Sequence, residues 1–166
     1  GNPVGVGTHD PALDVSFLER EITYWLYGIL EKHFAKMAKQ AKLTGTKLEK
    51  MLHEKLTGLS ITEHQILAAF RHAAIEEEPT LWGEAEILRY CSSLQKISKP
   101  MIIAANKADI APPENLERLR ATGYPVVATS AEYELALRRA SKAGLVSYVP
   151  GSGSFEVVIR PICAPW

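Results

Sequence analysis

Residues 99–109 read KPMIIAANKAD and residues 125–132 read PVVATSAE. Met101–Ala105 is a short continuous apolar run, the pattern of a strand buried on both faces. The loop Asn106-Lys107-Ala108-Asp109 follows it. Pro112 and Pro113 then open a predicted helix through Leu116 and Leu119 that ends before Gly123. Pro125–Thr129 is a second apolar run. Ser130-Ala131-Glu132 turns into a helix with Leu135, Leu137 and Ala140, closed by Gly144. Strand, helix, strand, helix implies a parallel sheet and an α/β fold. Ligands bind such sheets at the carboxyl ends of the strands. Both polar clusters sit at that end, so they are expected to face one pocket.

The residue types suit a guanine base. Guanine offers two adjacent donors, N1–H and the exocyclic amine, and one acceptor, O6. The Asp109 carboxylate can accept from both donors, whereas adenine would leave it unpaired, and a missing partner discriminates strongly. Lys107 has an apolar stem that can lie over the base. Asn106 carries both a donor and an acceptor, which suits a brace between loops. The backbone N–H of Ala131 is expected to donate to O6, and the Ser130 hydroxyl to orient Asp109. The bland alternative is that Asn106 and Asp109 are turn formers after a strand.

Toward the amino terminus the period becomes helical. Residues 1–13 are rich in Gly and Pro and read as a loop. From Asp14, Val15, Leu18, Ile22, Trp25 and Ile29 recur at helical steps, and Leu26, Leu30, Phe34, Met37 and Ala41 continue a drifting stripe. Thr46 and Glu49 have capping-box spacing at the start of a second helix with Leu48, Met51, Leu52 and Leu56 on one face. A Gly turn between the two helices predicts an antiparallel hairpin, and its narrow seam a coiled-coil arm. Thr62 with Gln65 is a further capping box, and a last helix is expected from about Leu81 to Ile97. Core packing is the expected role of Tyr24, Trp25 and Tyr27, with a partner surface as the alternative. Trp82 is expected to staple its helix to a neighbour, and Cys91 to be plain core.

Composition narrows the class. The 166 residues include 46% hydrophobic and 23% charged residues, ordinary for a globular domain, and 19 basic residues balance 19 acidic ones. Cys91 and Cys163 are too few for a disulfide framework, and no HExxH or CxxC spacing suggests a metal site. No apolar run reaches the ~18 residues of a membrane span and nothing reads as a leader, so a cytoplasmic setting is expected.

With these motifs in place, the sequence resembles the Obg-like GTPases of the YchF branch, in particular the archaeal GTP-binding proteins. KPMIIAANKADIAP looks like their fourth nucleotide box, VVATSAEYELALRRASKAGLVSYVPG like their fifth box with the following helix and strand, and HDPALDVSFLEREITYWLYGIL like the start of their inserted helical arm. The resemblance implies binding of GTP or GDP, Mg²⁺-dependent hydrolysis and a link to the ribosome or translation. It implies a partial P-loop-NTPase-like three-layer α/β sheet with an α-helical insertion. The expected organisation is a loop at 1–13, the helical insertion with its coiled-coil-like arm at 14–97, the carboxy-terminal half of a GTP-binding domain at 98–160, and a tail at 161–166. The expected nucleotide-binding residues are Asn106, Lys107, Asp109, Ser130 and Ala131.

Departures from the family set the limits. No GxxxxGK[ST] loop occurs, nor any DxxG element after a strand, so phosphate and Mg²⁺ contacts are expected only in a complete protein. No catalytic or metal-binding residue is therefore assigned here, and the chain alone is expected to bind GTP weakly and not to hydrolyse it. With strands missing, exposed sheet edges are expected to drive self-association. The arm is rich in lysine, and Lys36, Lys39 and Lys42 are candidates to track RNA phosphates, for the ribosome or another RNA. A solvated helix face explains the same lysines. Glu132 and Glu134 fall in the first turn of a helix, where negative charge is favoured without any nucleotide.

Overall fold

The computed structural model describes residues 9–158, so residues 1–8 of the expected 1–13 loop, the last two residues of the expected 98–160 segment, the tail at 161–166 and Cys163 lie outside the described residues. The described residues divide into two compact units, one helical from Ala12 to Met101, the other made of residues 102–158 with residues 9–11. The architecture is α/β, mostly helical with two small sheets.

In the helical unit, α1 runs from Pro11 to Thr44, α2 from Leu48 to Leu56, α3 from Glu63 to Ala73 and α4 from Glu84 to Ser98. α1 begins three residues earlier than expected, at a proline, which is pre-set for the first helical position and has no N–H to waste. Its buried residues are Leu26, Leu30, Phe34, Ala38 and Ala41. All but Ala41 meet Leu52 and Leu56 of α2, Ile66 and Ala69 of α3, and Ile87, Tyr90, Cys91 and Leu94 of α4 in one cluster. Each such large side chain contributes roughly 1.5–3 kcal/mol by leaving water. Trp82 lies two residues before α4, not within it, and stacks on Phe34 at 5.1 Å between centroids while leaning on Phe70 and Tyr90. Its indole N–H donates to the Glu77 carbonyl at 2.8 Å. Burial pushes the Cys91 thiol up to about 12.

Three expectations about this unit are corrected. Tyr24 and Trp25 are half exposed, at 51% and 50%, instead of in the core. The packed stripe begins at Leu26, and one helical residue is a turn of about 100°, enough to carry Trp25 off the buried face. Val15 and Leu18 likewise stay out of the core. The Thr46–Glu49 capping box does not form: the N-cap is Lys47, without a side-chain cap, and the Thr46 hydroxyl accepts from Thr44 Oγ1 at 2.9 Å. The Thr62–Gln65 box does form, with both reciprocal bonds. An unforeseen pair closes the hairpin region, Lys42 Nζ lying 2.9 Å from a Glu78 carboxylate oxygen.

In the second unit, β1 (Ile103–Ala105) pairs in parallel with β2 (Val126–Ala128), and α5 (Pro113–Ala121) crosses between them. Then come α6 (Ala131–Lys142) and a short antiparallel hairpin of β3 (Val146–Ser147) and β4 (Glu156–Val157). The strands are not buried on both faces as their apolar runs suggested. Ile102 is 70% exposed and Val127 48%, because the parallel sheet has two strands and Leu119 is the one fully buried apolar side chain among this unit's described residues.

Candidate functional site

The parallel register sets Ile103 beside Val126 and Ala105 beside Ala128, so both strands deliver their next residues to the same end of the sheet. The Thr129 N–H donates to the Ala105 carbonyl at 2.9 Å, and the Ala108 N–H donates back to the Thr129 carbonyl at 3.0 Å. The two loops after the strands are thereby laced together. Lys107 sits at φ +63°, in the left-handed region that a non-glycine residue rarely adopts. That conformation reverses the chain, and the Lys107 carbonyl accepts from the N–H groups of both Ile110 and Ala111.

Asn106 holds the loops from the side-chain level. Its Oδ1 accepts from the Lys107 N–H at 2.9 Å and from the Ala131 N–H at 3.1 Å. Both partners are donors, which fixes the oxygen toward them and leaves the amide Nδ2 as a donor without a partner among the described residues. Ser130 is the N-cap of α6, its Oγ accepting from the Tyr133 N–H at 3.2 Å. Two groups expected to serve a ligand or Asp109 have other protein partners here. The Ala131 N–H, expected to point at a ligand, is donated to Asn106. The Ser130 hydroxyl, expected to orient Asp109, caps the helix, since an orphan N–H in the first turn is the nearer demand.

Asn106, Lys107, Asp109, Ile110, Ser130, Ala131 and Glu132 line one cleft of about 370 Å³. That is within the usual size of a small-molecule site. The side chains of Lys107, Asp109 and Glu132 are exposed and make no hydrogen bond or ion pair among the described residues. The cleft therefore offers one cation, two carboxylates, the Asn106 amide donor and the apolar side of Ile110. Glu132 was not picked out by sequence as a cleft residue. Its place at the second position of α6 follows from the helix starting at Ala131. Glu134, two residues along, is committed elsewhere: it accepts from the Tyr148 hydroxyl and, at 2.7 Å, from Arg138 Nε. Those bonds, the Tyr148 one first, hold the Glu134 carboxyl below the usual glutamate range and push the Tyr148 phenol up.

Among the described residues no group of three or more His, Cys, Asp or Glu gathers as a metal site would require. No helix there is long and apolar enough to cross a membrane. Of the basic candidates on α1, Lys36 and Lys39 line an open groove with Leu43, whereas Lys42 is paired with Glu78.

Residues 104–161 match the family model described as Obg-like GTPase YGR210-like, G4 motif-containing domain. The chain is 46% identical, over 95% of its length, to an uncharacterized GTP-binding protein of Methanocaldococcus jannaschii. It is 25% identical, over 87% of its length, to an uncharacterized GTP-binding protein of Schizosaccharomyces pombe. Among solved structures it resembles a GTP-binding protein from Pyrococcus horikoshii, with a TM-score of 0.74 and 45% identity over 86% of this chain. It spans 39% and 36% of the two relatives' own lengths and 42% of the solved chain.

Proposed function

We propose that this chain supplies the guanine-recognition part of an Obg-like GTP-binding protein of the YchF branch. The observation that carries the reading is the double acceptance by Asn106 Oδ1, which ties the 106–109 loop to the start of α6 around one cleft. The names of the relatives support it independently.

Binding follows from the groups present. Asp109, exposed and unpaired, accepts the N1–H and amine of guanine in a bidentate contact, which adenine cannot return. The Asn106 Nδ2 donor is available to a ring nitrogen or O6. The Ala131 N–H is shared between Asn106 and the base, and the Lys107 stem covers one face. Ser130 fixes the first turn of α6 so that the Ala131 N–H keeps its direction. Phosphate cradling and Mg²⁺ coordination belong to segments other than these, so turnover of GTP needs the complete protein. The exposed edges of the β1–β2 sheet suit pairing with such segments or with a second copy, in a cytoplasmic, translation-linked setting.

Titration of the isotope-labelled chain with guanosine and adenosine at millimolar concentration tests the reading. Guanosine should shift the amides of Lys107, Asp109 and Ala131, adenosine should not, and Asp109→Ala should abolish the shifts. Equal shifts from both nucleosides, or none from guanosine, would sink it. GTP turnover by the purified chain above an Asp109→Ala control would refute the division of labour.

A second reading concerns the arm. Lys36 and Lys39 are exposed and unpaired around one groove, which suits RNA phosphates, in a ribosome or elsewhere. Lys42, engaged with Glu78, contributes least. Salt-sensitive RNA binding lost in Lys36→Glu/Lys39→Glu but kept in Lys42→Ala is the expected result. Binding that survives the double reversal would dismiss it.

A further inference from the structure

α6 carries Ser130, Ala131 and Glu132 into the cleft, yet none of its side chains is fully buried. Packing alone therefore gives its first turn little to lock against. On the side facing β1 and β2 the turn is held by the Ala131 N–H bond to Asn106. On another side it is held through Glu134, whose backbone N–H donates to the Ser130 carbonyl at 3.0 Å. The Glu134 carboxylate accepts from the Tyr148 hydroxyl at one oxygen and from Arg138 at the other. The Tyr148 hydroxyl in turn accepts from the Gly151 N–H at 3.1 Å. Gly151 sits at φ +84°, in a turn closed by the Ser152 N–H bond to the Val149 carbonyl at 2.9 Å. Only a residue tolerant of positive φ aims its N–H this way without strain.

The geometry points to Tyr148 as a positioning residue of the cleft: through Glu134 it anchors the first turn of α6, and so fixes where the Ala131 N–H meets Asn106 and the base. This rests on the guanine reading for its functional consequence, though not for the positioning itself. The Ala131–Asn106 contact is 3.1 Å long, already in the upper part of the normal range. A drift of the helix start by about 0.5 Å would take it out of hydrogen-bond reach. A hydroxyl–carboxylate bond at Glu134 is charge-assisted and directional, whereas ordinary attraction of a carboxylate to a helix start would not fix its lateral place.

The test uses the whole chain and amide spectra. Tyr148→Phe keeps the ring and removes only the hydroxyl. It should shift the Ala131 and Lys107 amides, speed hydrogen exchange at the Ala131 amide by about tenfold, and leave the resonances of residues 12–101 in place. Guanosine should bind several-fold more weakly. Glu134→Ala, which also removes the Arg138 bond, should change Ala131 at least as much, and the double variant should be no worse than Glu134→Ala, because the Tyr148 bond is lost already. Glu134→Gln, which keeps an acceptor for the phenol, should recover most of the Ala131 protection. If Tyr148→Phe leaves exchange at Ala131 unchanged, or if the two single effects add, Tyr148 does not position the cleft. Absence of any guanosine shift in the unaltered chain would instead reject the nucleotide reading, and exchange at Ala131 would still decide the role of Tyr148.

Discussion

Asn106 Oδ1 lies 3.1 Å from the Ala131 amide nitrogen, so one side chain spans two loops that are far apart in sequence and adjacent in space. Asn106→Asp keeps the acceptor for both N–H groups and loses the outward donor. It should retain slow exchange at the Ala131 amide yet bind guanosine at least tenfold more weakly, a loss of about 1.4 kcal/mol. Asn106→Ala should lose both. Amide exchange and a guanosine titration on the same samples separate the two effects. Retained guanosine affinity in Asn106→Asp would show that Nδ2 does not reach the base.

The helical unit is organised around Phe34 and Trp82, whose rings are within 7° of parallel. Phe34→Ala should cost about 3–5 kcal/mol, since the cavity collapses only partly. Trp25→Ala, on the half-exposed side of the same helix, should stay within about 0.5 kcal/mol. Urea unfolding followed by helix circular dichroism compares them. Equal costs would mean that Trp25 is covered in solution.

Gln95 is 1% exposed, and neither end of its amide has a hydrogen-bond partner among the described residues. A buried unpaired amide costs roughly 1–3 kcal/mol. Gln95→Met, of similar length, should therefore raise the thermal midpoint. A lowered midpoint would mean that the amide is satisfied in solution.

The Glu134–Tyr148 bond gives stability a window in pH. The Glu134 carboxyl is held below its ordinary range, so its contribution is complete above the unfolded glutamate pKa and is lost as acid reaches the lower folded value. The Tyr148 phenol is raised, so its contribution is complete below the unfolded tyrosine pKa and fades as base reaches the higher folded value. It is one bond, broken from either side. Stability of Tyr148→Phe relative to the original chain should be lower at neutral pH, and the difference should shrink in strong acid and in strong base. A difference that is flat in pH would remove the bond from the account.

Much of this molecule could be read in advance, and the exceptions have physical causes. The strand–helix alternation after Lys99 was legible because Pro and Gly punctuate it, and the Thr62–Gln65 box because both partners lie within one turn. Trp25 was misjudged because the apolar stripe on α1 is wide at its start, and periodicity alone does not say which edge is covered. The Lys42–Glu78 pair joins residues 36 apart, which no local pattern contains. The loops at 106–109 and 130–132 were legible as one pocket by topology. The donor arrangement inside it was not, since the Asn106–Ala131 bond joins residues 25 apart in sequence.

α1 is 34 residues long, about 51 Å of continuous helix. Its buried side chains begin only at Leu26, with Ile22 half-buried against the same cluster, so Pro11–Glu21 contributes no side chain to that core. A water-bathed helix of that length is marginal by itself. One unbroken rod is thus seated in that core along one part and outside it along the other. Deuterium uptake should run down its length like a fuse, quick near Phe17, slow by Phe34, with Leu26 marking the place where it goes out.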